Sequence, residues 1–393
     1  MPWPQNDGGN IAMLNMAELL LEAGHQVTIF ALNTSKHFIE PADLPARFRN
    51  NFNIHTAPID TKVTLTGAVR NLFRSEESYN IVRFYSQTVE HTLVELLHHN
   101  QFDVIQLESL FTTPYIDCIR RNSSARIILR SHNTEFRIWE RLARTEKNPF
   151  RQSYYHFLAK RLRHYELGIL HKIDGILPIT TIDQEVFTNA APSLPVFVMP
   201  LGINLKEYPH PDPKADESLK IFHLGSMDWL PNLEGIRWFL QSCWPSIHAQ
   251  FPSLPLYLAG RGFPEDIIQS APAGVHCSTV VKDANEYMKD KQVMIVPLLS
   301  GSGLRVKILQ GLAMGKTIIS TTIGAEGIDV TDGTNILLAD TPNDYLKQIE
   351  WCITNPEKCR MIGQEGRKLI VEKYSNEVLA QQLQEFIKGT LDA

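Results

Sequence analysis

The segment Pro297-Leu-Leu-Ser-Gly-Ser-Gly-Leu-Arg-Val-Lys307 leads into an apolar helical pattern. A strand pattern ends there, a Ser/Gly loop turns, and a helix opens with Arg305 and Lys307 in its first turn. Free backbone N–H groups and the positive end of a helix dipole favour an anion at such a point. Gly301 and Gly303 let a ligand approach the backbone, while Arg305 and Lys307 supply charge. The chemistry expected is phosphate binding; the competing expectation is a flexible turn with two surface cations. The GxxxxGK[ST] pattern is absent, so this is not a Walker loop.

Three further loops follow strand patterns: Gly225-Ser226-Met227-Asp228-Trp229, Gly260-Arg261-Gly262 and Gly324-Ala325-Glu326-Gly327. Each alone is an ordinary turn. Ligands of open α/β sheets bind beyond the carboxyl ends of strands, and these loops together describe a nucleotide-sized cleft. In the first half, Arg130-Ser131-His132-Asn133-Thr134-Glu135 follows a strand pattern. One reading is a helix cap made by Asn133 or Thr134. The other places His132 against a substrate hydroxyl or phosphate.

The elements that must position these residues alternate between short β-rich runs and longer helical patterns. Strands are expected at 25–32, 52–57, 102–107, 126–131, 175–179 and 196–199, then at 220–224, 255–259, 275–280, 292–297, 317–321 and 335–338. Most are nearly continuous in Val, Ile, Leu and Phe, as for parallel strands buried on both faces. Helices are expected at 10–23, 80–99, 134–172, 233–250, 305–314 and 376–391. The alternation predicts two Rossmann-like α/β domains, divided near Met199-Pro200-Leu201-Gly202-Ile203-Asn204. Gly8 and Gly9 open the first helix directly, whereas a doubly wound domain opens with a strand before such a turn. The N-terminal sheet is therefore expected to lack its first strand, and the natural polypeptide to begin a few apolar residues earlier.

The chain has 393 residues, 43% hydrophobic and 21% charged, with net charge −5. This is ordinary globular composition, and its sign argues against a general nucleic-acid binder. The five cysteines form no CxxC pair, so neither a disulfide framework nor a zinc site is expected. No apolar run has the length of a transmembrane helix and no secretory signal is visible, so a cytoplasmic protein is expected. Residues 118–172 carry 13 Lys/Arg against four Glu, interleaved with Phe136, Trp139, Phe150, Tyr154, Tyr155, Phe157 and Tyr165. The plain reading is a solvated helical face. The sharper one is a surface for an anionic membrane or a phosphate-bearing acceptor, with Val63, Leu65, Val69, Leu72 and Phe73 beside it.

Taken together, the residues resemble family 4 of the glycosyltransferases, retaining, nucleotide-sugar-dependent enzymes of the GT-B fold. The resemblance spans almost the whole chain: Pro2-Trp-Pro4 with Gly8-Gly9, His132-Asn133-x-Glu135, Pro200-Leu-Gly-Ile-Asn204, Gly225-Ser-Met-Asp-Trp-x-Pro-Asn232, Ala259-Gly260-Arg-Gly262 and Gly301-Ser-Gly-Leu-Arg-x-Lys307. Ala313-Met-Gly-Lys316 and Gly324-Ala-Glu-Gly327 are similar to the branch that makes bacterial surface polysaccharides. The resemblance implies two domains facing across a cleft. An acceptor-binding domain would occupy 1–199 and a nucleotide-sugar-binding domain 200–375, with a helix at 376–393 crossing back to the first.

It further implies His132, Arg305 and Lys307 as catalytic positions. Donor contacts would come from Gly8, Gly9, Gly225, Ser226, Gly260, Arg261, Gly301, Ser302, Gly303, Leu304, Gln310 and Glu326. No metal and no cofactor beyond the nucleotide-sugar co-substrate are implied. The acceptor would be a saccharide or lipid-linked saccharide at the inner face of the cell membrane. The chain departs from the family where two glutamates usually stand, carrying Ser302 and Gln310. Gln310 keeps hydrogen-bonding capacity without charge. The competing functions are an inactive sugar-nucleotide-binding subunit and a GT-B nucleotide-sugar 2-epimerase.

Overall fold

The computed structural model describes Trp3, residues 8–35, 38–62, 64, 71, 78–208, 218–301 and 303–392. Ser302, the apolar positions Val63, Leu65, Val69, Leu72 and Phe73, and most of the opening segment lie outside the described residues. The chain divides into two compact units, Met1–Leu201 with Ala380–Ala393, and Gly202–Leu379.

In the first unit the strands are β1 (Thr28–Thr34), β2 (Asn53–Ile59), β3 (Val104–Glu108), β4 (Arg126–Ser131) and β5 (Gly175–Pro178). All pair in parallel, but in two separate sheets, β1–β2 and β3–β4–β5. Among the described residues no strand precedes the helix Gly8–Glu22, and no ladder joins β1 to β3. A shared core still links the two sheets: Phe30 and Leu32 of β1 pack with Leu107, Ile127, Leu129 and Ile176. The opposite face of β1 and β2 is covered by Leu14 and Ala17 of the first helix, with Phe48 and Phe52. The helix Asn376–Asp392 buries Leu379, Leu383 and Ile387 at four-residue spacing, as an amphipathic helix should. Within the first unit its Phe386 sits against Phe197, and its Gln384 side chain donates to the Ala23 carbonyl at 2.9 Å.

The second unit has β6 (Ile221–Leu224), β7 (Leu256–Ala259), β8 (Val275–Ser278), β9 (Val293–Val296), β10 (Thr317–Ser320) and β11 (Leu337–Leu338). They form one six-stranded parallel sheet in the order β11–β10–β9–β6–β7–β8. The central strands Val-Met-Ile-Val and Thr-Ile-Ile-Ser are buried along their whole length, as parallel strands covered on both faces must be.

Several expected elements differ in the structure. No strand forms at 196–199; a single bridge joins Val196 to Ile176. Pro178 opposite has no N–H to donate, so the ladder cannot extend. The expected helix 134–172 is two helices, Glu135–Thr145 and Pro149–Gly168, followed by a 3-10 turn. Asn148 starts the second by accepting from the Phe150 and Arg151 amides, with Pro149 at its first position. The expected helix 80–99 is broken where Ser86 turns extended. The expected helix 233–250 begins earlier, at Leu230, and widens into a π turn over Phe239–Cys243. Pro245 follows that turn, and its missing N–H disrupts the regular ladder.

Candidate active site

The strand order of the second unit reverses between β6 and β9: the chain runs outward through β7 and β8, returns to β9, and continues to β10 and β11 on the other side. Such a switch point opens a crevice at the carboxyl ends of its two central strands. The loop after β6 carries Gly225 and Ser226, and the loop after β9 carries Gly301, Gly303, Leu304 and Arg305. The phosphate-binding segment expected from sequence thus stands at the one position where sheet topology makes a ligand crevice.

Lys307 lies in the first turn of the helix Val306–Ala313 and reaches across to the β6 side. Its Nζ donates to Asn232 Oδ1 at 2.7 Å and lies 3.5 Å from His223 Nε2. His223 is fully buried, and its Nδ1–H donates to the Ile295 carbonyl at 2.9 Å. That bond leaves Nε2 as the acceptor facing the lysine. Burial, reinforced by the charge of Lys307, holds the imidazole well below its ordinary pKa and therefore neutral. Burial and then the neighbouring Arg305 push the Lys307 ammonium down to about 7. Both acceptors on Lys307 are neutral, so the ammonium keeps its charge available for an anion. Gly225 makes room for it, since a Cβ there would stand 2.4 Å from Nζ.

Arg305 is buried at the start of the same helix and donates through Nη1 to the Gly303 carbonyl. Its guanidinium lies over the Trp229 ring, 5.5 Å from the centroid, and the same ring edges Gly301. The loops after β6 and β7 are tied together by Gly225 N–H to Ala259 O at 2.9 Å and Met227 N–H to Arg261 O at 2.8 Å. Arg261 pairs with Asp228 at 3.0 Å in an exposed ion pair, a geometry that contributes little stability. Gly260 adopts φ +144°, and a Cβ on it would lie 1.9 Å from the Gly225 carbonyl oxygen. Glu326 follows the short helix Thr322–Ala325 after β10. Gln310 hydrogen-bonds the buried Tyr208 hydroxyl. Gly8 and Gly9 open the first helix of the other unit.

In the first unit His132 follows β4, and its Nε2 lies 2.6 Å from Glu108 Oε2 at the end of β3. The same oxygen is 3.6 Å from Nη1 of the fully buried Arg130, and Gln106 donates to Oε1 at 2.5 Å. Burial pushes the Glu108 carboxyl up, but Arg130 and the bond from His132 outweigh it and hold it below the usual carboxylate range. Arg130 Nη1 also donates to the Ala12 carbonyl at 2.8 Å. The cap expected from Asn133 or Thr134 is not made. Thr134 instead donates to Asp183 at 2.5 Å, and the buried Glu166 accepts from the Glu135 and Phe136 amides at 3.1 Å each. Burial pushes Glu135 to about 7 and Glu166 to about 8. The sequence did not single out Glu108 or His223 as site residues, and it offered Trp229 only as part of a loop. A lone polar residue at a strand end is the only signal that Glu108 offered.

Among the described residues, no group of three or more His, Cys, Asp or Glu could hold a metal ion. No helix among them is long and apolar enough to cross a membrane.

Residues 218–355 match the sequence profile described as glycosyl transferases group 1. The fold is GT-B, and residues 218–355 resemble the group 1 glycosyl transferases. It is 24% identical over 391 residues to an uncharacterized 44.6 kDa protein in the cps region of Klebsiella pneumoniae, covering 95% of this chain and 94% of that protein. Sucrose-phosphate synthase of Thermosynechococcus elongatus superposes with TM-score 0.69 at 16% identity, covering 98% of this chain and 94% of that one. HepE of Anabaena in complex with UDP superposes with TM-score 0.66 at 12% identity, over 98% and 96% of the two chains.

Proposed function

We propose that this glycosyltransferase is a retaining enzyme of cell-surface polysaccharide synthesis. It would move a sugar from a nucleoside diphosphate sugar to a hydroxyl of a saccharide or lipid-linked saccharide. The observation that carries this reading is the pair Arg305 and Lys307 at the β6/β9 switch point, two cations beside a helix N-terminus and a glycine-bearing loop. In the reaction the bond from the anomeric carbon to the diphosphate breaks. The acceptor oxygen bonds to that carbon on the same face, and its proton passes to the departing phosphate. Arg305, Lys307 and the loop amides meet the charge that develops on the leaving group, a role that a metal fills in other transferases. HepE, crystallised with UDP-glucose, supports a nucleotide-sugar donor, and the cps-region relative supports the polysaccharide setting. Incubation with a panel of UDP-, GDP-, dTDP- and CMP-sugars, read by product analysis, tests the reading. Binding without hydrolysis or transfer would identify the sugar-nucleotide-binding subunit instead, and an epimerised nucleotide sugar the 2-epimerase.

His132 is assigned to the sugar undergoing transfer. His132→Ala is expected to lower turnover by about a hundredfold while nucleoside diphosphate affinity stays within about twofold, because the contact strengthens in the transition state. Wild-type turnover in this variant would reduce His132 to a structural residue.

The same reading places the enzyme at an anionic membrane surface. The helices Glu135–Thr145 and Pro149–Gly168 expose Phe150 (86%), Tyr154 (42%) and Phe157 (36%) among basic side chains, and Arg161 lies 4.4 Å over the Phe157 ring. Each Lys or Arg near anionic lipid contributes about 1 kcal/mol, so several suffice for salt-sensitive adsorption. Co-sedimentation with phosphatidylglycerol vesicles at low salt is expected to pull the protein down, and Phe150→Ser to weaken it. An equal pull-down by neutral phosphatidylcholine vesicles would contradict the assignment.

A further inference from the structure

The geometry points to Glu108 as a positioning residue that clamps the His132 ring by its Nε2–H, so that Nδ1 faces the substrate as a hydrogen-bond acceptor. The inference rests on the reading of His132 given above and deepens it by naming the atom presented and the group it takes. Glu108 and His132 end neighbouring strands, β3 and β4, which run parallel with Glu108 opposite Arg130. Their side chains therefore emerge at the same carboxyl edge of the sheet, the edge at which α/β ligands bind. The 2.6 Å contact joins Nε2 to a carboxylate oxygen that is itself held from two directions. Gln106 donates to its companion oxygen, and the buried guanidinium of Arg130 lies 3.6 Å away.

An ionised carboxylate only accepts, so the bridging proton sits on Nε2 whenever the ring is neutral. His132 Nδ1 then carries the lone pair. No described residue is bonded to it, and His132 remains 13% exposed. A lone pair accepts from a donor, and an ionised phosphate oxygen has no proton to give. A ring that donates through Nε2 and accepts through Nδ1 suits a sugar hydroxyl rather than an ionised phosphate oxygen, which favours the first of the two options that the sequence left open.

Proton NMR of the intact protein tests this. A slowly exchanging imidazole N–H resonance is expected downfield of the amide envelope, absent from His132→Asn and from Glu108→Ala. Glu108→Ala is expected to lower kcat at least tenfold, with nucleoside diphosphate Kd unchanged within twofold. Glu108→Gln, which keeps an acceptor oxygen but no charge and protects the fold around Arg130, should recover part of that loss. Absence of the resonance from the wild-type protein, or full turnover in both Glu108 variants, would overturn the inference. If the resonance depends on Glu108 while His132→Ala keeps wild-type turnover, the clamp stands and the catalytic reading of His132 fails. If His132→Ala is inactive while the Glu108 variants match wild type, the reverse holds.

Discussion

Affinity for a nucleoside diphosphate is expected to be constant below about pH 7 and to fall about tenfold per pH unit above it. Lys307 must be charged to pair with the ligand, and its pKa lies at about 7. Burial is the main cause and the charge of Arg305 the second. A bound diphosphate reverses the second effect by placing anionic oxygens beside both cations, so the pKa rises and a proton is taken up. Below pH 7 the lysine already holds that proton, and no uptake accompanies binding. Calorimetry at about pH 8.5 in buffers of different ionisation enthalpy reads the uptake directly; the expected value approaches one proton, and zero would contradict the assignment.

Arg305→Ala should weaken binding by about 2 kcal/mol or more, the loss expected of a charge-assisted contact. It should also move the pH step upward, because one source of the depressed Lys307 pKa is gone. Lys307 also makes the stability of the second unit sensitive to pH. The folded pKa of Lys307 lies below its ordinary value of 10.5, so the unfolded chain binds the proton more tightly. Stability is therefore expected to rise as pH increases from about 7 toward 10.5, with the full penalty present below 7.

Gly260→Ala is expected to abolish nucleotide binding and to lower the unfolding temperature of the second unit. The added Cβ would lie 1.9 Å from the Gly225 carbonyl oxygen and 2.6 Å from its carbon, both backbone atoms that no rotamer change can move aside. Relief requires the loop after β6 to shift, and that loop carries Gly225, against which Lys307 Nζ is seated. Overpacking costs about 1–3 kcal/mol, and the φ of +144° adds about 1–3 kcal/mol of backbone strain. Gly333→Ala separates the two effects, since its φ is +69° but no atom lies within 4 Å of the added methyl. It should lose stability through strain alone and keep nucleotide affinity. Thermal unfolding and calorimetry on both variants decide the matter; Gly260→Ala binding within threefold of wild type would sink the argument.

Much of this architecture was legible in the sequence, and for identifiable reasons. A run such as Val293-Met-Ile-Val296 advertises a strand buried on both faces, because no polar side chain breaks it. The Ser/Gly loop ahead of Arg305 and Lys307 advertises a helix start that carries two cations, because residue type and chain order already place them there. Element boundaries yielded less readily. Asn148 and Pro149 split one helical pattern into two, and Pro178 stopped a ladder whose partner residues looked suitable. Each acts through a backbone hydrogen bond made or withheld, which hydrophobic periodicity does not record.

What only the tertiary structure decided is who meets whom. Lys307 meets Asn232 across 75 positions and His223 across 84, because β9 pairs with β6 rather than with its sequence neighbour β8. Glu108 meets His132 because β3 and β4 lie side by side in parallel register, and Glu166 accepts from the Phe136 amide 30 residues back in sequence. Local periodicity sets which face of an element is buried; strand order is set by how all the elements close around their cores. The lowered pKa of Lys307 and the neutrality of His223 follow from that closure, since desolvation exists only once the surrounding chain has packed. The sequence by itself thus determined the kinds of chemistry available and the strands that carry them, and the packing of the sheets determined which groups act together and in which charge state.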